Sequence, residues 1–237
     1  MKFLENRKAI VTGGTRGIGR AIAKALAENG ADVAICGRKQ NEVEETVRQI
    51  TAETGAKVVG KSADVSDSSQ VSDFFKFVDA NLGTLHILVN NAGVGVFRAT
   101  ADLTLDEWRK VIDTNLTGVF YCSHEGLPRL KRSNGGYIIN ISSLAAKNAF
   151  AGGAAYNASK FGLNGFTEAM MLDHRNDDIR VSTIMPGSVD TEFNSGATGA
   201  EWKIAAEDIA EIVLSLLRMP ARTLISRVEV RPAKPRK

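Results

Sequence analysis

Residues 12–19 read TGGTRGIG, and this glycine-rich stretch decides how the neighbouring chain folds. The apolar run AIV at 9–11 precedes it, and a helical pattern of apolar residues follows at 21–27 and stops at Gly30. A second apolar run at 32–36 is typical of another strand. A strand, a glycine turn, a helix and a strand within about thirty residues predict a right-handed βαβ unit.

The same alternation continues to the end of the chain. Strand patterns occupy 57–61, 85–89, 136–141, 180–184 and 224–230, and helix patterns occupy 41–54, 69–82, 105–130, the stretch around Tyr156, and 207–217. Apolar strands that each alternate with a helix indicate a parallel sheet covered on both faces. No linker-like stretch divides the chain. We therefore predict a single doubly wound α/β domain over residues 1–237, with a mostly or wholly parallel seven-stranded sheet flanked by helices.

The composition is that of an ordinary globular protein. The 237 residues are 43% hydrophobic and 24% charged, with a formal net charge of +3. Basic residues are scattered until the tail RPAKPRK at 231–237, which is more typical of a solvated end than of a nucleic-acid-binding arm. The charged start and the lack of an apolar run of roughly 18 residues argue against a signal peptide and a membrane span. We expect a cytoplasmic protein that binds neither nucleic acid nor membrane.

The cysteines and histidines exclude several kinds of site. Cys36 and Cys122 offer no disulfide framework, and His86, His124 and His174 are isolated from one another. No metal-ligand spacing is present, so no metal is expected. The chain also has no Gly-x-Ser-x-Gly elbow and no histidine near a candidate triad, which excludes a serine hydrolase.

The glycine turn is suited to binding a pyrophosphate. Gly13 allows a tight bend after the strand, Gly17 lets a phosphate approach the backbone, and Gly19 lets the helix pack closely. The spacing is Gly-x-x-x-Gly-x-Gly. A nucleoside-triphosphate loop has a similar frame, but Arg20 and Ala21 replace its lysine and hydroxyl, so we exclude that alternative.

The end of the second predicted strand bears on the choice of cofactor. Dinucleotide-binding folds often place there a carboxylate that accepts a hydrogen bond from the ribose 2′-hydroxyl, but this chain has Arg38. A guanidinium fits a 2′-phosphate instead, and Arg16 could supply a second cation. NADP(H) is therefore favoured over NAD(H).

Tyr156 and Lys160 lie four residues apart in the stretch AYNASK at 155–160. In a helix this spacing places the phenol and the ammonium on one face. The positive charge is expected to lower the pKa of Tyr156 from about 10 towards neutrality, where the phenol can exchange protons. The pair alone is weak evidence, because the same spacing occurs on many exposed helices.

The ordered set of motifs resembles the short-chain dehydrogenase/reductase family over residues 7 to about 191. TGGTRGIG resembles its cofactor turn, Asp64-Val65 its adenine contact, NNAG at 90–93 its turn after the fourth strand, and PGSVDT at 186–191 the segment over the nicotinamide. Asn115, Ser143, Tyr156 and Lys160 match its four active-site residues, with its thirteen-residue step from serine to tyrosine.

The resemblance implies a Rossmann-type NAD(P)-binding domain that prefers NADP(H), with a cofactor half at about 7–95, a catalytic half at about 96–231 and a short basic tail at 232–237. The cofactor contacts it implies are Gly13, Thr15, Arg16, Gly17, Ile18, Gly19, Arg38, Asp64, Val65, Asn91, Ala92, Gly93, Tyr156, Lys160, Pro186, Gly187, Val189 and Thr191.

The resemblance also implies the reaction, a hydride transfer between NADP(H) and a carbonyl or secondary alcohol. Tyr156 would donate or accept the proton, and Ser143 would hold the substrate oxygen. Lys160 would lower the pKa of the phenol and bind the nicotinamide ribose, while Asn115 would keep a water in a proton relay. An NADP(H)-binding sensor or regulatory protein without turnover is the alternative from a different class, and an NAD-dependent alcohol dehydrogenase is the second alternative.

The substrate is less well defined by the sequence. The expected pocket walls are mainly small or apolar: Val94, Gly95, Phe97, Leu144, Ala145, Phe150 and the segment 192–202. They favour an uncharged carbonyl, although Arg98 and Lys147 leave a charged substrate open.

The end of the chain and the Tyr156 helix bear on subfamily and assembly. The chain resembles the 3-oxoacyl reductases of the family. Many of these members, which reduce acyl-carrier 3-oxo thioesters, end in a glycine-rich strand and turn, whereas residues 226–232 read SRVEVRP, which counts against a role in fatty-acid synthesis. Small and apolar residues at 158–166 could form a close helix–helix interface, so we expect a homodimer or homotetramer.

Overall fold

The computed structural model describes residues 2–194 and 199–235. The strands are β1 (Lys8–Thr12), β2 (Asp32–Gly37), β3 (Val58–Ser62), β4 (Ile87–Asn90), β5 (Gly136–Ile141), β6 (Ile179–Pro186) and β7 (Arg227–Val230). The helices are α1 (Gly17–Glu28), α2 (Gln40–Thr54), α3 (Ser68–Leu82), α4 (Leu105–Ile112), α5 (Gly118–Arg132), α6 (Ala154–His174) and α7 (Ala206–Arg218). Short 3-10 turns lie at Leu144–Ala146, Arg175–Asp177 and Glu192–Asn194.

The strands form one sheet in the order β3-β2-β1-β4-β5-β6-β7, and every pairing is parallel. The chain therefore starts in the middle of the sheet, winds out to β3, returns to β4 beside β1, and winds out to β7. The predicted doubly wound, seven-stranded parallel sheet is confirmed. Ligands of such sheets bind outside the carboxyl ends of the strands where the winding reverses, which here is between β1 and β4.

The two faces of the sheet carry separate apolar cores. Val11 and Ile139 lie on one face with α1, α2 and α7, while Ile10 and Ile138 lie on the other with α3, α5 and α6. Both faces are covered, so the central strands are apolar at successive positions instead of alternating with polar residues. Within the described residues, no helix combines the length and the apolarity needed to span a bilayer.

The helix predicted at 105–130 is interrupted. A π turn at Asp113–Thr117 joins α4 to α5, and in it the Gly118 N–H donates to the Asp113 carbonyl, five residues back. Such turns insert an extra residue into the helical register and rotate the side chains near it. The last strand is also shorter than the predicted 224–230, and pairs with β6 only over Arg227–Val230.

Buried amides hold α5 and α6 against the carboxyl ends of β4 and β5. Asn90 Nδ2 donates to Asn140 Oδ1 at 2.9 Å and to Ser123 Oγ of α5 at 3.1 Å. Asn140 Nδ2 in turn donates to Thr167 Oγ1 of α6 at 2.8 Å. Because buried polar groups are costly when unpaired, these bonds fix the position of α6 along β5.

Candidate active site

The glycine turn between β1 and α1 is packed tightly against the loop after β4. Gly13 and Gly17 have positive φ angles of 62° and 51°, which favour glycine. A Cβ on Gly13 would lie 2.9 Å from Ala92 Cα, and one on Gly19 would lie 2.2 Å from the Gly13 carbonyl oxygen. Side chains at these two positions would therefore displace the backbone of the turn.

Hydrogen bonds lock the turn to the loop after β4. Asn91 Nδ2 donates to the carbonyl oxygens of Thr12 and Gly13 at 3.0 and 3.1 Å. Thr12 Oγ1 accepts from the backbone N–H groups of Asn91 and Ala92 at 3.0 and 3.1 Å. Asn91 thus braces the turn, and Thr12 is a positioning residue that the sequence reading did not single out.

A cavity of about 580 Å³ opens over the carboxyl ends of the strands. Among the expected cofactor residues it is lined by Gly13, Thr15, Arg16, Gly17, Ile18, Arg38, Asp64, Val65, Asn91, Ala92, Gly93, Tyr156, Lys160, Pro186, Gly187, Val189 and Thr191. Ser143 and the expected wall residues Val94, Phe97, Leu144, Ala145 and Phe150 line it too. Gly19, Gly95 and Asn115 do not line it. Of the expected wall segment 192–202, Glu192 and Phe193 line the cavity, and residues 195–198 lie outside the described residues.

The N-terminus of α1 points its free N–H groups at one end of this cavity. The N-cap residue Arg16 makes no side-chain capping bond in the described structure, and the first turn has no acidic residue. Unsatisfied N–H groups and the positive end of the helix dipole bind anions well. This end of the cavity therefore fits a pyrophosphate group.

Cations surround the same end of the cavity. Arg16, Arg38 and Lys39 all line it, and Lys39 Nζ donates to Glu42 Oε1 at 2.7 Å. The hydrogen bond from Lys39, together with the charges of Arg16 and Arg38, holds the pKa of Glu42 below its usual range. Lys39 and Glu42 were missed in the sequence reading, although Lys39 directly follows Arg38. The cationic cluster fits a further phosphate beyond the pyrophosphate.

An ion pair crosses the mouth of the cavity. Arg16 Nη1 lies 3.4 Å from Glu192 Oε2, which joins the glycine turn to the 3-10 turn after β6. Both side chains are more than half exposed, with side-chain exposures of 66% and 60%, so the pair adds little stability. Arg16 can exchange this partner for a phosphate at low cost.

Ser143, Tyr156 and Lys160 lie together at the other end of the cavity. Ser143 follows β5, and its Oγ accepts from the Ala145 N–H at 3.1 Å. Lys160 Nζ lies 5.7 Å from the centroid of the Tyr156 ring and donates to the Ile141 carbonyl oxygen at 2.9 Å. The phenol and the ammonium therefore share one face of α6 and point towards the end of β5.

Burial shifts the pKa values of both groups. It raises the pKa of Tyr156, against a smaller lowering by the Ser143 hydroxyl, and it lowers the pKa of Lys160 from 10.5 to about 8. The expectation that Lys160 would bring the pKa of Tyr156 below 10 was wrong for the chain by itself, because removal of the phenol from water outweighs the lowering of the pKa by Ser143. At neutral pH the phenol is protonated and the ammonium is charged.

Asn115 is fully buried in the π turn and holds the loop after β4. Its Oδ1 accepts from the Val94 N–H, and its Nδ2 donates to the Val94 carbonyl, both at 2.8 Å. Nδ2 also donates to Ser159 Oγ at 3.1 Å. A Cβ added to Gly93 would lie 3.3 Å from Asn115 Oδ1 and 3.9 Å from Lys160 Nζ, so the two side chains flank Gly93. Both amide N–H groups are used, and the predicted water relay stays a prediction.

The part of the chain that the structure describes contains no set of residues placed to bind a metal ion. No group of three or more His, Cys, Asp or Glu residues there could hold a metal ion. Cys36 and Cys122 are buried free thiols, and burial raises the pKa of both, to about 12 for Cys36.

Comparison with known proteins identifies the family. Residues 7–202 match the family model described as short chain dehydrogenase. The chain is 38% identical over 192 residues to a 3alpha-hydroxysteroid dehydrogenase of Mediterraneibacter gnavus, covering 81% of this chain and 77% of that protein. The chain therefore belongs to the short-chain dehydrogenase family.

Solved structures give the same result. An alcohol dehydrogenase from the archaeon Thermococcus sibiricus, complexed with 5-hydroxy-NADP, is 29% identical, with a TM-score of 0.92 over 98% of each chain. A metagenomic short-chain oxidoreductase in complex with NADP is 36% identical, with a TM-score of 0.86 over 98% of this chain and 99% of the other. Both similar structures hold an NADP-type cofactor.

The buried ammonium of Lys160 yields a prediction about stability and pH. Lys160→Met removes a desolvated charge but also leaves the Ile141 carbonyl without its donor, so below pH 8 we expect the free energy of unfolding to rise by up to about 2 kcal/mol. Between pH 8 and 10.5 the unfolded wild-type chain keeps a proton that the folded chain has released. Wild-type stability therefore gains from this group over that window, and the difference between the two proteins shrinks.

Urea unfolding of both proteins at a pH below 8 and at one near 10 measures this change. Lys24→Met is the control, because Lys24 is an exposed lysine of α1 whose pKa is raised by its hydrogen bond to Glu53. A Lys160→Met protein that is less stable than wild type by the same amount at both pH values contradicts the prediction.

Proposed function

We propose that the chain is an NADP(H)-dependent carbonyl reductase, reversible as an alcohol dehydrogenase, that interconverts a carbonyl compound and a secondary alcohol. The observation that carries the proposal is one cavity with two chemically distinct ends. A helix N-terminus and three cations lie at one end, and a protonated phenol beside a buried ammonium lies at the other. The NADP-type cofactors of two similar structures and the hydroxysteroid activity named for a relative support it.

Binding of the cofactor would use the cationic end. The glycine turn and the N-terminus of α1 would hold the pyrophosphate, and Arg38 would bind the 2′-phosphate with Arg16 and Lys39 nearby. Asp64 and Val65 would contact the adenine, and 91–93 together with 186–191 would line the path to the nicotinamide. When bound, NADP(H) supplies or accepts the hydride.

Proton transfer would be the task of Tyr156. In the reductive direction its phenol donates a proton to the carbonyl oxygen as negative charge develops there, and becomes a phenolate. Ser143 Oγ donates a hydrogen bond to the same oxygen and stabilises that charge. In the oxidative direction the phenolate removes the hydroxyl proton. A phenol whose pKa is raised is protonated at neutral pH, which suits reduction.

Lys160 and Asn115 would support the proton transfer by Tyr156, Lys160 through its charge and Asn115 through its hydrogen bonds. The ammonium stabilises the phenolate by its charge and has N–H groups available for ribose hydroxyls. Asn115 holds Val94 and Ser159, one residue before Lys160, so it sets the position of the loop and of the helix around the ammonium. A water retained beside Asn115 would return a proton from solvent to Lys160.

Tyr156→Phe tests the mechanism, because it keeps the ring and removes the proton. We expect kcat for reduction to fall by about 10²- to 10⁴-fold, with the Kd for NADPH changed less than about twofold. NADPH oxidation with a panel of ketones and NADPH fluorescence titration provide the two measurements.

Tyr121→Phe on α5 is the matched control, because Tyr121 does not line the cavity. Near-normal turnover by Tyr156→Phe refutes the mechanism. Tight NADPH binding by the wild type with no turnover of any ketone would favour the sensor.

Arg38→Ala tests the choice of cofactor. Loss of charge-assisted hydrogen bonds to a 2′-phosphate should weaken NADPH binding by about 10- to 100-fold and NADH binding by less than about threefold. The Kd of each cofactor is measured by fluorescence titration. Arg48→Ala is the control, because Arg48 pairs with Glu45 on the exposed face of α2. Equal losses for the two cofactors would count against the phosphate contact.

We also propose that the protein is a cytoplasmic homodimer or homotetramer. Phe120 of α5 and Phe161 of α6 are 46% and 47% exposed, and Phe120 contacts Phe166 of α6 edge to face with ring centroids 6.2 Å apart. Large apolar side chains exposed together on two neighbouring helices favour association. Sedimentation equilibrium should give two or four times the chain mass of 25.4 kDa, and a mass of one chain would contradict the proposal.

A further inference from the structure

Three exposed phenylalanines form a row beside the ring of Tyr156 in the cavity. Phe97 lies edge-on to Tyr156 with ring centroids 5.6 Å apart, and the Phe193 ring is tilted against that of Tyr156 with centroids 5.9 Å apart. Phe150 extends the row beyond Phe97, at 5.7 Å. These three phenylalanines, here called the aromatic wall, are 43%, 41% and 45% exposed for Phe97, Phe193 and Phe150.

The backbone around the aromatic wall is shaped to bring its rings together. A Cβ on Gly95 would lie 2.7 Å from Phe97 Cζ and 3.1 Å from Phe193 Cε1. A Cβ on Gly153 would lie 2.7 Å from two atoms of the Phe150 ring. The Arg98 N–H also donates to the Gly152 carbonyl at 2.8 Å, which joins the loops that carry Phe97 and Phe150. The rings therefore form a built surface and not a chance exposure.

The two cations on the loops that carry Phe97 and Phe150 are paired with carboxylates. Arg98 Nε lies 2.8 Å from Glu107 Oε1, and Lys147 Nζ lies 2.8 Å from Glu229 Oε1. Neither cation lines the cavity. Arg98 and Lys147, which left a charged substrate open in the sequence reading, are thus not placed to clamp a carboxylate or phosphate beside Tyr156.

We propose that the aromatic wall selects the substrate: an uncharged ketone with a flat apolar body, an aryl or fused-ring ketone, whose carbonyl faces Tyr156 and Ser143. This inference rests on the proposed function and adds its substrate class. A ligand that covers these half-exposed rings removes their apolar surface from water. A flat aromatic ligand also offers stacking or edge-to-face contacts that a saturated ring lacks. Phe97 touches the Tyr156 ring directly, so it is the main specificity residue.

A matched ketone series tests the substrate class with NADPH. Acetophenone is flat and uncharged, cyclohexyl methyl ketone has the same carbon skeleton with a saturated ring, 2-butanone has no ring, and phenylglyoxylate adds a carboxylate. We expect the KM for acetophenone to be at least about fivefold below that for cyclohexyl methyl ketone, and about tenfold or more below those for 2-butanone and phenylglyoxylate. Equal KM values across the series overturn the inference and leave the proposed function intact.

Variants show whether the aromatic wall is responsible. Phe97→Ala should raise the KM for acetophenone about 5- to 20-fold and that for 2-butanone by a clearly smaller factor, and Phe97→Leu, which keeps an apolar side chain, should restore only part of the preference for acetophenone. Phe3→Ala is the control, because Phe3 is 42% exposed and lies outside the cavity against Arg218. The inference is overturned if Phe3→Ala loses the preference for acetophenone over 2-butanone, or if Phe97→Ala keeps that preference.

Calorimetric titration of acetophenone into the NADP⁺-loaded protein separates this inference from the reaction itself. If no ketone is reduced, binding that Phe97→Ala weakens about 5- to 20-fold still supports the aromatic wall while the proposed function fails. Absence of binding in the wild type overturns the inference.

Discussion

The buried ammonium of Lys160 is the constraint on which the arrangement of this site depends. A charge taken out of water is tolerated only where nearby dipoles and hydrogen bonds compensate it, and here the Ile141 carbonyl at the end of β5 provides the direct partner. That bond fixes α6 over the carboxyl edge of the sheet. The hydrogen bond from Asn140 of β5 to Thr167 of α6 holds the same helix at a second point. Tyr156 is then carried to the cavity by the helix, one turn before Lys160. The buried cation lowers the stability of the fold, but the proposed chemistry needs it.

The division of the cavity follows from where each side chain originates. The cationic end is built by the turn after β1 and the end of β2, on one side of the point where the winding reverses. The aromatic end is built by the loops after β4 and β5 and by the turn after β6. A parallel sheet brings all these strand ends to one edge, so a ligand laid across that edge contacts both halves of the chain. Anion recognition and apolar recognition can therefore vary independently on the same scaffold.

The sequence predicted the fold well because alternating apolar strands and helices encode the sheet directly. It also located most of the cavity lining, since residues that follow strands converge at one edge. It missed features that depend on packing. The pKa of Tyr156 moves opposite to expectation because burial is a property of the folded site, and the pairing of Arg98 with Glu107 could not be read from their positions. Lys39 was overlooked although its place after Arg38 carried the signal.

The π turn at Asp113–Thr117 is the clearest feature that no pattern of apolar residues revealed. The π turn takes up one extra residue within a single helical turn, so each residue after it points about 100° away from the direction it would have in a regular helix from α4 to α5. Asn115 lies within the turn and points into the core, where its amide bonds both backbone groups of Val94 and the Ser159 hydroxyl. A polar side chain fully buried in a helix is costly unless it is satisfied, and here that requirement is met by the loop and the helix that bracket Lys160. Asn115 in this irregular helix thus connects the loop after β4 to Ser159 of α6, which directly precedes Lys160.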